Sequence, residues 1–303
     1  MKKLSILFLL ALVSCRLEPE PIEELGPLHV VATTGIIADC LENIVGDSAE
    51  VSSIMGPGTD PHIYKPTPGD IDMLDGADVI IANGLHLEGK MAEMLEKYGR
   101  EKPVIFISDG IEDQHLIKSA DATDAYDPHI WFDTKIWMKG MKYVVDELGK
   151  IDTNARKYYS DNFNLYQLYV DTLNLEIARQ IDSLDPAKRI LVTSHDAFSY
   201  FGRRYGVEVR GIQGISTLSE VGLKDISETV DFVVGRKIKA IFVETSTSQK
   251  TAQSIVDGAK QKRWNVELAG PLYSDALGEP DSEAGTYLGM IGENVRIIVE
   301  GLK

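Results

Sequence analysis

From Asn154 to Asp185 the chain runs without a Gly or a Pro. Within it Tyr159, Phe163, Tyr166, Val170, Leu173, Ile177 and Ile181 recur at steps of three and four. That spacing winds one apolar stripe along a helix on the order of 40 Å long. A helix of this length exceeds what covering one domain requires and suits a strut between two bodies. A short flexible hinge would let two lobes close far, whereas a single long helix packed on both would resist it.

The stretches on either side of 154–185 share a grammar. Before it, "LHVVATTG", "AEVSSIM", "ADVIIANG" and "KPVIFISDG" read as compact apolar strands, with "IIADCLENIVG" and "KMAEMLEKYG" at helical spacing between them. After it, "KRILVTSHD", "VEVRGIQGIST", "IKAIFVETSTSQ" and "WNVELAGPLYSDALG" repeat the order, with "AFSYFGRRYG" as a helix. Continuous apolar strands alternating with helices imply parallel sheets covered on both faces. The expected fold class is α/β: two similar parallel-sheet lobes, 28–153 and 186–303, joined by one long rigid helix over 154–185. Cys40 lies at helical spacing with Ile36, Ile37, Leu41 and Ile44, which predicts a buried apolar thiol.

One tetrapeptide occurs twice: Asp60-Pro61-His62-Ile63 in "GTDPHIYKP" and Asp127-Pro128-His129-Ile130 in "YDPHIWFD". Proline fixes its own φ and holds the preceding Asp extended, so each loop is stiff and its histidine leaves in a defined direction. In parallel α/β sheets ligands gather beyond the carboxyl ends of strands. His62 follows the strand ending near Met55, His195 ends "RILVTSH", and Asp275 stands past a strand ending at Ala269. Imidazoles with a carboxylate are a plausible transition-metal set. The competing reading of each Asp-Pro-His is a turn with its histidine bonded to backbone, because no compact signature such as HExxH is present.

The first residues constrain location. "MKKLSILFLLALVSC" has a basic start, an apolar run from Leu4 to Val13 and a cysteine where cleavage should fall. The run is too short to span a bilayer and has the shape of a signal peptide. Leu12-Val13-Ser14-Cys15 resembles a bacterial lipobox, which makes 1–14 a lipoprotein signal, Cys15 the lipidated residue and 15–27 a Pro/Glu-rich flexible tether. With Cys15 carrying lipid, Cys40 has no cysteine to pair with. The formal net charge of -16 argues against nucleic acid as a partner.

"GPGTDPHIYKPTPGDIDMLDGADVIIANGLHLE", "DPHIWFD", "VTSHDAFSYFGRRYG" and "YSDALGEPDSEAGTYLGM" resemble the TroA/ZnuA-like zinc and manganese receptors of bacterial ABC importers, and their TroA-type branch above all. The resemblance implies a metal held in the cleft between lobes by His62, His129, His195 and Asp275. It implies an extracytoplasmic lipoprotein, periplasmic or at the cell surface, not an enzyme and a monomer. Its cargo would be one divalent ion, Zn2+ before Mn2+, passed to a membrane permease with its ATPase. The sequence departs from the zinc-uptake branch in lacking a His-rich loop over 112–128, where only His115 precedes the ligand motif, and in lacking a second-lobe disulfide. It departs from manganese receptors in placing His195 where glutamate is common, which favours zinc on softness.

Further residues stay outside that set. Glu244 ends a strand facing the same cleft, as a candidate acceptor for a ligand imidazole. Asp60 and Asp127 either orient histidines or make turns. Trp131, Phe132 and Tyr200 either shield the metal or pack the core, and His86 is read as structural. Two other functions stand against metal delivery: a periplasmic zinc hydrolase, which would turn over esters or peptides, and an adhesin, which would bind its ligand equally well without metal.

Overall fold

A computed structural model of the chain describes residues 26–119 and 125–303. The signal expected over 1–14, Cys15 and most of the tether lie outside the described residues. The first lobe is built from β1 (Leu28–Thr34), α1 (Gly35–Val45), β2 (Ala49–Met55), α2 (Pro68–Gly76), β3 (Val79–Ala82), α3 (Ala92–Tyr98), β4 (Val104–Phe106) and α4 (Thr134–Ile151). Then comes α5 (Arg156–Asp182). The second lobe follows with β5 (Ile190–His195), α6 (Ser199–Tyr205), β6 (Glu208–Gln213), α7 (Leu223–Gly235), β7 (Ala240–Glu244), α8 (Lys250–Gln261), β8 (Glu267–Leu272) and α9 (Tyr287–Leu302).

The two sheets have one topology. Their orders are β2-β1-β3-β4 and β6-β5-β7-β8, and every pairing is parallel. The central strands are buried on both faces, as parallel strands between helical layers must be: β3 and β5 are buried throughout. Helix starts follow local chemistry. The Thr34 hydroxyl accepts from Ile37 N, Thr67 and Asp70 form a capping box, and the Asp133 carboxylate accepts from Lys135 N.

The long helix is present with the expected stripe: Tyr159, Phe163, Tyr166, Val170, Ile177 and Ile181 are buried and Leu173 is half-buried. Its 27 residues span roughly 40 Å at 1.5 Å each. It begins two residues later than the stripe suggests because the Asp152 carboxylate accepts from Asn154 N and Ala155 N and holds a turn there. One apolar cluster runs through both lobes and this helix, joining Ile37 and Trp137 of the first lobe to Tyr166, Phe201, Tyr287 and Val295. Cys40 is fully buried in it, but its surroundings are not wholly apolar: Trp137 Nε1 donates to its sulfur at 3.4 Å and the Tyr166 hydroxyl lies at 3.6 Å. Burial pushes the thiol up to about 12.

β8 runs to Leu272, beyond the expected end at Ala269. A register shift between Phe242 and Glu244 absorbs Gly270, whose φ of +107° suits glycine, and pairing resumes at Glu244 and Leu272. No described helix is long and apolar enough to cross a membrane.

Candidate metal centre

The two Asp-Pro-His segments fold into the same local turn. Asp60 Oδ1 accepts from His62 N at 2.9 Å, and Asp127 Oδ1 accepts from His129 N at 2.9 Å. Each aspartate then uses its remaining capacity differently. Asp127 Oδ1 also accepts from His129 Nδ1 at 2.7 Å, whereas Asp60 Oδ2 accepts from the Thr217 hydroxyl of the second lobe at 2.6 Å. The second loop is held from behind: Asn83 Nδ2 donates to Pro128 O, and the buried Glu88 carboxylate accepts from Thr33 Oγ1, Asn83 N and Gly84 N.

His195 is the last residue of β5 and Glu244 the last of β7. Glu244 accepts from His195 N at 3.0 Å through one oxygen and from His195 Nδ1 through the other. Asp275 lies in the loop after β8, where Ser246 Oγ donates to its Oδ2 at 3.1 Å. His62, His129, His195 and Asp275 converge, and each offers one ligand atom such that all four lie within 4.8 Å of one another. His129 Nε2 is 3.3 Å from His62 Nε2, 3.3 Å from His195 Nε2 and 3.5 Å from Asp275 Oδ1. His195 Nε2 is 3.4 Å from Asp275 Oδ2. Four donors placed tetrahedrally at zinc-like bond lengths of about 2.1 Å stand about 3.4 Å apart.

The electrostatics also call for a cation. Asp127 and Glu244 hold the Nδ1–H of His129 and His195, so in the neutral rings both Nε2 lone pairs point inward. All four side chains are at most 2% exposed. Asp275 Oδ1 takes no close hydrogen bond among the described residues and has His129 Nε2 at 3.5 Å, and a buried carboxylate oxygen is costly unless a positive charge meets it. Protons partly fill that need. Burial alone would lower His129, but Asp127 and Asp275 outweigh it and raise it to about 9. Burial likewise works against His195, yet Glu244 and Asp275 raise it well above the usual imidazole range. Asp275 would be raised by burial, but His195 and His129 hold it well below the usual carboxylate range. His62 has no such carboxylate on its ring. Burial dominates there and pushes it down to about 3.

The surroundings are dry on one side and open on the other. Trp131 lies edge-on to His129 at 5.3 Å and donates through Nε1 to Ser274 O across the lobes, and the Tyr200 hydroxyl donates to Asp127 O. Trp131, Phe132 and Tyr200 are all buried, so they pack the core and wall the site at once. His62 faces a cavity of about 650 Å³ between the lobes, with His86 on one side and Arg210 and Gln213 on the other. His86 is exposed and stands outside the cluster, as do His29 and His115. Thr217, Ser246, Asn83 and Glu88 were not singled out by sequence reasoning. Glu244, read from its strand end as a candidate acceptor for a ligand imidazole, does hold His195.

The chain matches, over residues 30–301, the family described as zinc-uptake complex component A, periplasmic. It is 42% identical over 280 residues to the manganese-binding lipoprotein MntA of Bacillus subtilis, covering 91% of this chain and 90% of that one. It is 39% identical over 277 residues to the zinc-binding protein TroA of Treponema pallidum, covering 91% of this chain and 89% of that one. The solved structure of the periplasmic zinc-binding protein TroA from Treponema pallidum superposes with a TM-score of 0.88, over 91% of this chain and 99% of that one, at 39% identity.

Proposed function

This chain belongs to the family of the zinc-uptake complex component A periplasmic proteins, and from that premise we propose that it captures a divalent transition metal outside the cytoplasmic membrane and delivers it to an ABC permease with its ATPase. His62, His129, His195 and Asp275 are the ligands, and lipid on Cys15 anchors the chain. One observation carries the reading: three imidazole nitrogens and a carboxylate oxygen, from both lobes, all within 4.8 Å of one another, with His129 Nε2 3.3 Å from each of the other two Nε2 atoms. Four protein donors fill a tetrahedron and leave no position for a catalytic water, so the chemistry is holding and transferring an ion rather than hydrolysis.

The relatives are named for manganese and for zinc, so their names do not choose the cargo. Three nitrogens against one carboxylate favour Zn2+, with Mn2+ next. The test is competitive loading. Residues 16–303 are stripped, equilibrated with zinc, manganese and iron together, and assayed for bound metal. One equivalent, chiefly zinc, that disappears in His195→Ala is the expected result. An absence of stoichiometric metal under every condition would overturn the ligand set.

A further inference from the structure

The buried stripe of α5 leaves its opposite face uncovered, and that face is not polar. Leu165, Leu168, Tyr169 and Leu175 are 52%, 61%, 56% and 70% exposed. Large apolar side chains contiguous along one exposed helix face are unusual for a surface that meets only water. Here the three leucines fall into register. Asp161, Leu165, Leu168, Thr172, Leu175 and Arg179 are separated by alternating steps of four and three, the spacing of a coiled-coil seam.

We propose that this face is an antiparallel seam between two copies of the chain. In an antiparallel pair each residue at the first seam position meets one at the second position of the partner helix. Centring the pair at residue 170 places Leu165 against Leu175 of the second copy, Leu168 against Thr172, and Asp161 against Arg179. The twofold axis then repeats all three contacts. The Leu165–Leu175 layers are apolar, the end layers are oppositely charged, and the Leu168–Thr172 layers set leucine against a threonine whose hydroxyl is taken up by Leu168 O of its own helix. The parallel alternative sets Asp161 on Asp161 and Arg179 on Arg179, which is repulsive at both ends. Asp161 now pairs with Lys157 and Arg179 with Glu176 along the helix. In the antiparallel seam Asp161 and Arg179 can exchange those partners for each other across the contact.

The contact is small. Six layers and their flanks bury on the order of 1,000 Å², the low end for a specific association, so the dimer is weak and reversible in solution. Anchoring two copies to one membrane raises their local concentration and favours it. The single-copy expectation drawn from the sequence would then hold only for dilute protein.

Sedimentation equilibrium on residues 16–303, which retain every described residue, tests this from micromolar to millimolar concentration. The expected result is a monomer–dimer equilibrium that Leu168→Glu weakens by at least about tenfold. Asp161→Arg and Arg179→Asp should each weaken it, since each faces like charges across the seam. The two together should recover most of the loss. Register is read by mixing Leu168→Cys chains with Thr172→Cys chains under oxidation. Cys40 is buried, so crosslinks report the new thiols. Mixed pairs support the antiparallel seam, and same-variant pairs overturn it. So does a chain that stays monomeric throughout, or a double charge swap no better than either single one. Binding to neutral phosphatidylcholine vesicles, lost in Leu168→Glu without self-association, would make the face a lipid contact and overturn the proposal. Metal-induced stabilisation measured on each variant separates a lost contact from a lost fold.

Discussion

His129 and His195 each keep one ring nitrogen on a carboxylate and turn the other to the same point, and that division of labour sets the pH response. His129 is raised to about 9 and His195 is also raised, so a metal bound at the proposed site would have to displace protons from both rings. His62, lowered to about 3, and Asp275, held low, release none. At the proposed site metal and protons would therefore compete, and affinity is expected to fall as pH falls. A titration from pH 8 to 5 should show Kd rising by about one to two decades per pH unit, and a flat profile would contradict this coordination. Glu244→Gln keeps the shape but weakens the charge behind His195, and should cost about 10–100-fold in affinity with one metal still bound. Unchanged affinity would reduce Glu244 to a packing role. Much of this was legible in the sequence: a repeated Asp-Pro-His and a histidine at a strand end are local patterns. Glu244 was read as an acceptor for a ligand imidazole, but not for which one, because it stands 49 residues from His195 and the pairing depends on β5 and β7 lying side by side. The choice between orienting and turn-forming for Asp60 and Asp127 was also closed to sequence, since each makes the same backbone turn and only the fold shows which one reaches a ring.

Elements were readable wherever one period held along a segment, and blurred where tertiary contact overrode it. Apolar runs gave the strands and the three-four stripe gave α5. The end of β8 was misplaced because a bulge within β8, at Gly270, interrupts its pairing with β7 before it resumes at Leu272. Gly140 is a similar case in α4. Glycine in a helix interior costs about 1 kcal/mol against alanine, so propensity alone favours replacing it. Yet a Cβ there would meet Ile107 Cγ2 at 2.4 Å and the Ile107 carbonyl oxygen at 2.9 Å. The oxygen belongs to backbone and cannot step aside as a side chain can. Gly140→Ala should lower stability by about 1–3 kcal/mol, read as a reduced urea midpoint at unchanged slope. A raised midpoint would mean that α4 has room to shift.

At the scale of the whole molecule, the question is how far two lobes can move when the ion between them comes and goes. The proposed ligands come from both lobes, so binding there would favour the state in which the lobes are together. His129→Ala should therefore remove most of the metal-induced rise in Tm, which at a hundredfold excess over Kd corresponds to about 2.7 kcal/mol. An undiminished rise would take His129 out of the shell. The size of the motion is a separate matter. One apolar cluster passes through α5 into both lobes. Around it Trp131 Nε1 donates to Ser274 O, the Tyr287 hydroxyl to Trp131 O, Tyr287 N to Asp39 Oδ2, Arg203 Nη2 to His115 O and the Thr217 hydroxyl to Asp60 Oδ2. Wide opening would expose that cluster and break those bonds together, and one ion cannot offset so much. Proteins that clamp their ligand by hinge closure swing on a few loop residues, and a helix of roughly 40 Å packed on both lobes has no such point. A chain of this length has an expected radius of gyration of about 19 Å. X-ray scattering on dilute metal-free and metal-loaded protein should differ by less than about 1 Å from that scale of dimension. A larger contraction on loading would show that α5 bends, and that the shared core parts more easily than its burial implies.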